Sequence, residues 1–293
     1  MPGRRALRRW ALALLFLAIG GLAALWAVGS FLMRPSPSHV APAVAPARDF
    51  QLRASDGLMI AATYWPGKRP DAPAILLLHG NGASRAAVAS TAEWLSRQGY
   101  AALTIDFRGH GESARASHSF GLFEARDAAA AFAWLKRKQQ GGAIVVLGIS
   151  LGGASALLGE HGPLPAQGFI LQAVYPDIRH AIRNRLVATG GLAVFGWLEP
   201  LLSYQAQPRF GVSPTALAPI EQVAHLKAPV LVIGGTDDRY TPPAETRALY
   251  DAVRGPKRLW WAIGADHAAV SHDESPAYRA TLLTFLRQTA GRG

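Results

Sequence analysis

Apolar and polar positions along this chain follow two alternating rhythms, one of period two or continuous, the other of helical period. "DFQLRASDGLMIAATYW" alternates on both sides of Asp56-Gly57, which predicts a hairpin. "AILLLHG" (74–80) is a short continuous apolar run, as expected of a strand buried on both faces. "SRAAVASTAEWLSRQG" has helical spacing between a capping Ser84 and Gly99, and "YAALTIDF" reads as a strand again. "FEARDAAAAFAWLKRKQQGG" predicts an amphipathic helix stopped by glycines. The alternation continues through strand "AIVVLGIS", helix "LGGASALLG", and strands "QGFILQAVY", "APVLVIGG" and "KRLWWAIG". Helix "PAETRALYDAVR" separates the last two strands, and "SPAYRATLLTFLRQ" closes the chain as a helix. This order predicts an α/β fold, a mostly parallel eight-stranded sheet with helices on both faces. In such sheets chemistry collects in the loops at the carboxyl ends of strands.

Two segments break the rhythm. Residues 175–227 contain "LVATGGLAVFGWLEPLLSY", apolar but interrupted by glycines, Glu199 and Pro200, and predict a helical cap inserted between two strands. At the start, Trp10–Met33 runs without a charge, about 36 Å of helix at ~1.5 Å per residue, long enough to cross a bilayer. Residues 1–9 form a basic tail with Arg4, Arg5, Arg8 and Arg9, and few charges follow the apolar run. That asymmetry predicts a signal-anchor helix (10–33), a cytoplasmic amino terminus and a main domain on the outer side of the membrane. A cleaved signal peptide is the alternative, since small residues follow Trp26. The run exceeds the ~7–15 apolar residues of such peptides, which favours the retained anchor. Residues 34–47 are rich in proline and alanine and read as a semi-rigid extended tether to a domain spanning 48–290.

Composition narrows the function classes. Of the 293 residues 50% are hydrophobic and 17% charged, which excludes bulk disorder. The net charge of +11 invites a nucleic-acid reading, but Arg4, Arg5, Arg8, Arg9 and Arg34 belong to the anchor region. The other cations are scattered and no nucleic-acid motif is present, so no nucleic-acid partner is expected. The absence of cysteine excludes disulfides and thiolate chemistry. No histidine–carboxylate cluster has metal-ligand spacing, and neither metal nor organic cofactor is expected.

"VVLGISLGGASALL" (145–158) places Ser150 between a strand and a helix, flanked by Gly148, Gly152 and Gly153. A turn that tight strains the serine backbone and tolerates only small neighbours, the arrangement of a nucleophile elbow. The alternative is a serine in a glycine-rich loop where backbone packs closely, and the pentapeptide alone does not separate the two. A serine nucleophile needs a base and an orienting carboxylate. "PVLVIGGTDDRYTPP" ends a strand with Asp237 and Asp238, and "RLWWAIGADHAAV" ends the next with His267. One aspartate serves as the acid and the other as a structural cap; His272, at the start of the last helix, competes with His267. "LLLHGNGAS" offers the Asn81 amide and the elbow offers Leu151 N–H as oxyanion donors. His79 reads as a clamp for that loop, and Asp106 and Arg108 in "DFRGHGES" as parts of a structural turn.

"LLLHGNG", "DFRGHGES", "GISLGG", "VLVIGGTDDRYTP" and "IGADH", in that order, resemble the α/β-hydrolase fold superfamily. Among its branches the chain resembles the membrane-anchored bacterial serine hydrolases near the serine aminopeptidase/monoacylglycerol-lipase-like group. The resemblance spans about residues 48–290. It implies an α/β-hydrolase fold with a cap and a Ser–Asp–His triad acting on a small acyl substrate, carboxylic esters first. The family pattern Gly-x-x-Asp-x-x-x-Pro, aligned on Gly235 and Pro242, selects Asp238 over Asp237. Family dehalogenases carry aspartate where Ser150 stands, so that chemistry is disfavoured. Thioester or amide hydrolysis with the same triad, and a non-catalytic membrane-tethered binding module, are the alternatives.

Overall fold

A computed structural model describes residues 3–160, 162–190 and 193–290. Gly57, at φ 90°, turns the hairpin between β1 (Arg48–Arg53) and β2 (Met59–Trp65). The strands β3 (Ala74–Leu78), β4 (Ala101–Ile105), β5 (Ile144–Ile149), β6 (Gly168–Gln172) and β7 (Val230–Gly235) are buried at every position. That burial is why they read as unbroken apolar runs. β8 (Lys257–Ala262) forms one edge. The sheet order is β1-β2-β4-β3-β5-β6-β7-β8. β1, β2 and β4 pair antiparallel, and all other neighbours are parallel.

Helices cover both faces. α1 (Arg4–Leu32) precedes the sheet, α2 (Ala89–Arg97) follows β3, α3 (Glu124–Lys138) follows β4, and α4 (Leu151–Leu157) follows β5. The cap comprises α5 (Ile178–Gly190), α6 (Glu199–Ser203), α7 (Ala206–Phe210) and α8 (Pro219–Val223), with short 3-10 turns between them. α9 (Pro243–Ala252), α10 (His267–Ser271) and α11 (Pro276–Ala290) complete the fold. α3 packs Ala128, Phe132 and Leu135 on one face of the sheet, while α2 and α11 pack Leu95, Leu282 and Phe285 on the other. Phe169 is 1% exposed between strand and helix layers, and truncating it to alanine is expected to cost about 3–5 kcal/mol. The cap has its own small core, Tyr175, Ile178, Ile182, Leu202 and Leu217, set against Ala154 and Leu158 at α4. Residues 1–2 of the basic tail and Gly191 and Leu192 of the expected cap lie outside the described residues.

Two local expectations are revised. Ser84 occupies the N-cap position but makes no capping bond; the buried Asp106 carboxylate accepts the Arg85 N–H instead, at 2.6 Å. The proline-rich segment is extended, but it is a docked strap rather than a free tether. Ser36–Pro37 pairs parallel with His110–Gly111, Ser36 N–H donates to Gly109 O at 2.7 Å, and Val40 and Ala47 are buried. Unpaired main-chain groups of the loop after β4 thereby find partners.

Candidate active site

The chain leaves β5 and enters α4 with Ser150 as the only residue between them. Its backbone is at φ 49°, ψ −110°, a left-handed conformation that costs a non-glycine residue on the order of 1–3 kcal/mol. The surroundings hold it there: Ser150 N–H donates to Gln172 O of β6 at 2.9 Å. The flanking glycines are steric requirements. A Cβ at Gly152 would overlap the Leu78 carbonyl of β3, one at Gly148 would meet Gly153, and one at Gly153 would strike Val174.

Asp238 lies in the loop after β7, and the sheet places it beside the loop after β8. Its Oδ1 accepts the Tyr240 and Thr241 N–H groups, each at 2.8 Å, and its Oδ2 is 2.8 Å from His267 Nδ1. The carboxylate is 2% exposed. An ionised carboxylate only accepts, so the Nδ1 proton belongs to this bond and Nε2 is left as an acceptor. His267 begins α10, whose cap Asp266 accepts the Ala269 N–H at 2.8 Å. Beneath it, Gln172 holds α10 and α11 together through Val270 O and Tyr278 OH. Asp237 points elsewhere: its carboxylate is bonded by Thr236 Oγ1 at 3.2 Å and does not reach His267. His272 closes α10 rather than opening the last helix, and lines a different crevice with Asp273, Glu274 and Tyr278.

Ser150, Leu151, His267 and Asn81 line one cavity of about 40 Å³, with His118, Phe120, Tyr175, Arg185 and Leu32 among its other walls. Ser150 and His267 share it without a direct hydrogen bond. Asn81 N–H and Leu151 N–H donate to no main-chain acceptor; Leu151 is the first residue of α4, where no intrahelical partner exists. A larger open groove of about 670 Å³ runs past Asp49, Tyr64 and Trp134 and contains none of these residues.

Beneath the Asn81 loop His79, already read as a clamp, belongs to a histidine cluster whose other members, His110 and His118, had no such reading. His79 is fully buried, its Nδ1–H donating to Gly80 O at 2.7 Å and its Nε2 accepting from Phe107 N–H at 3.1 Å. That clamp is the role expected of it. His110 stacks on His118 at 3.9 Å and 8°. With its Nδ1–H on Arg108 O, His110 Nε2 is an acceptor, so the Asn81 side-chain amide at 3.3 Å must turn its NH2 to it. Burial first, then the charge of His110, pushes both His79 and His118 down to about 3. His118 is 4% exposed and neither ring nitrogen has a partner. The turn after β4 is held by two buried ion pairs, Arg85 with Asp106 and Arg108 with Asp127, each guanidinium also reaching a more exposed carboxylate, Glu112 and Asp56 respectively. Among the described residues no group of three His, Asp or Glu side chains converges to hold a metal ion.

A family model described as "Serine aminopeptidase, S33" matches residues 69–215, and one described as "TAP-like protein" matches 209–291. The uncharacterized protein YqkD of Bacillus subtilis is 31% identical over 192 residues, 64% of this chain and 62% of that protein. The lysophosphatidylserine lipase ABHD12 of Danio rerio is 27% identical over 194 residues, 64% of this chain and 49% of that one. The chain therefore spans less than two thirds of the length of either relative. Among solved structures, an esterase of Pyrococcus furiosus, Pf2001, superposes with a TM-score of 0.70 at 21% identity, over 88% of this chain and 99% of that one.

Proposed function

The chain belongs to the α/β-hydrolase superfamily, within the serine aminopeptidase S33 family, and we propose that it hydrolyses carboxylic esters through an acyl-enzyme on Ser150. One observation carries the reading: a serine held in strained backbone faces the same cavity as an imidazole already paired with a buried carboxylate. Ser150 Oγ attacks the acyl carbonyl while His267 Nε2 takes its proton. Asp238 keeps the Nδ1–H tautomer and stabilises the imidazolium. The Asn81 and Leu151 amides receive the oxyanion. The alcohol leaves with the proton from His267, and water, deprotonated by the same nitrogen, releases the acid. A small turn of either side chain within the cavity forms the Ser150–His267 bond when substrate excludes water.

Esters are favoured over thioesters by the relatives, since a lipase and an esterase stand among the similar proteins. The family description supports amide hydrolysis as the second reading. α1 is long and apolar enough to span a bilayer, and we place the amino terminus in the cytoplasm and the hydrolase domain, residues 48–290, on the outer face. The test is labelling with a fluorophosphonate, beside Ser150→Ala and His267→Ala. Labelling of the parent, lost in both folded variants, is expected. A folded parent that does not label refutes the reading in favour of a binding module. Parallel assays on an oxygen ester, a thioester and an aminoacyl arylamide separate the substrate classes.

A further inference from the structure

α1 does more than reach the membrane. In its second half only Leu25, Gly29 and Leu32 turn away from the surroundings, and Met33 is buried just beyond the end. Positions i, i+4, i+7 and i+8 form one stripe of a helix. That stripe lies on the cap, where Leu25 and Leu32 pack with Ile178, Ile182, Leu202 and Phe210. The contact is specific. Gln205 Nε2 donates to Leu25 O at 3.0 Å, and Arg209 donates to Trp26 O at 2.7 Å and to Ser30 Oγ at 3.0 Å. The Arg209 guanidinium also lies 3.7 Å from the Trp26 ring centroid. Gly29 leaves room for the Gln205 amide, which a Cβ there would push aside.

The length of α1 leaves room for such docking. The uncharged part of α1, Trp10–Leu32, has 23 residues, about 35 Å at ~1.5 Å each, against a hydrocarbon layer of about 30 Å. About one turn rises above the hydrocarbon, so the docked stripe begins within the outer edge of the bilayer and ends above it. Beside it the cap exposes Trp197, Leu201 and Tyr204, side chains suited to a membrane interface.

Leu32 and Phe120 line the Ser150 cavity on one side. On the other they line a second apolar void of about 20 Å³, bounded by Gly29, Ile178, Ile182 and Ala206. They are a partition between the serine and a seam that runs between α1 and the cap toward the bilayer. Resting on the ester-hydrolase reading, we propose that the last two turns of α1 form one wall of an acyl-chain site. A single-chain lipid ester enters it from the membrane along this seam. Both voids have room for only a few waters, so Leu32 and Phe120 swing aside when the chain passes.

The test uses the full chain in phosphatidylcholine nanodiscs with p-nitrophenyl acetate and dodecanoate. Leu32→Trp is expected to lower the dodecanoate-to-acetate ratio of kcat/KM at least tenfold. Leu22→Trp, on the lipid-facing side, should leave that ratio within twofold. An unchanged ratio in Leu32→Trp overturns the seam. A parent that hydrolyses neither ester and binds no fluorophosphonate overturns the hydrolase reading itself. A second measurement does not depend on the variant folding: an alkyl fluorophosphonate with a diazirine at its tail should crosslink to the peptide containing Leu25–Met33. Crosslinks confined to lipid or to the far side of the cap refute the proposal.

Discussion

Acid should unclamp the loop that carries Asn81. His79 and His118 are held near 3 by burial, against an ordinary value of 6.5. The folded chain therefore refuses protons that the unfolded chain accepts between those values. Their contribution is intact above pH 6.5 and is lost as pH falls from there toward 3. At pH 5 each unfolded imidazole is almost fully protonated, worth about 2 kcal/mol per ring and about 4 kcal/mol for the pair. Asp127 works the other way. Burial raises it to about 6 despite its bonds to Arg108, so a proton held in the folded state returns about 1 kcal/mol at pH 5. Together these three groups cost about 3 kcal/mol between pH 8 and pH 5, a large share of the ~5–15 kcal/mol that holds a typical domain folded. Urea unfolding of the full chain in mild detergent, followed by tryptophan fluorescence at both pH values, measures it. His118→Phe keeps a flat ring against His110 and removes two unpartnered buried nitrogens. It should remove about half of the histidine contribution without loss at pH 8. Equal stability of the parent at both pH values, or an unchanged pH slope in His118→Phe, refutes the argument.

Ser150→Gly should unfold at higher temperature than Ser150→Ala, by about 1 kcal/mol of stability, because glycine accepts φ 49° without strain; calorimetry showing no difference removes the strain. Asp238→Asn should lower kcat on an ester by a factor on the order of 10³–10⁴ with the fold intact, while Asp237→Asn stays within a few-fold. Comparable losses in both would undo the assignment of the acid. Arg108→Ala leaves Asp127 buried without its partner and should cost about 3–5 kcal/mol by denaturant midpoint, with Arg108→Lys recovering little because the Asp56–Asp127 fork needs a guanidinium. A change below 1 kcal/mol would show that water or a rearranged Arg126 replaces it.

Much of this architecture is written in local pattern. β3 through β7 are covered on both faces, so their apolar runs could not be anything else once glycines and prolines bounded them. The elbow is legible for the same reason: Gly148, Gly152 and Gly153 are spacings that backbone packing demands, and they surround the serine in sequence as in space. Asp238 and His267 were found as carboxyl-end residues of strands, a consequence of parallel topology. Between Asp237 and Asp238 the residues themselves were neutral, and only a family pattern favoured the second. What separates them is which carboxylate the loop turns inward onto the Tyr240 and Thr241 amides.

Other features depend on contacts between segments far apart in the chain. His118 carries no sequence signal, being one of nine histidines, and becomes notable only when stacked on His110 and stripped of partners. The Arg85–Asp106 and Arg108–Asp127 pairs join residues 21 and 19 positions apart, so no helix or strand period relates them. Short-range spacing and burial sufficed to read the order of strands and helices, the bilayer-spanning length of α1 and the placement of Ser150, Asp238 and His267 at the ends of β5, β7 and β8. The docking of the proline-rich strap and the reach of α1 to the Ser150 cavity appear only in the folded chain. Those outcomes turn on shape complementarity between distant surfaces, Gly29 against Gln205 and Leu32 against Phe120, which local spacing does not encode.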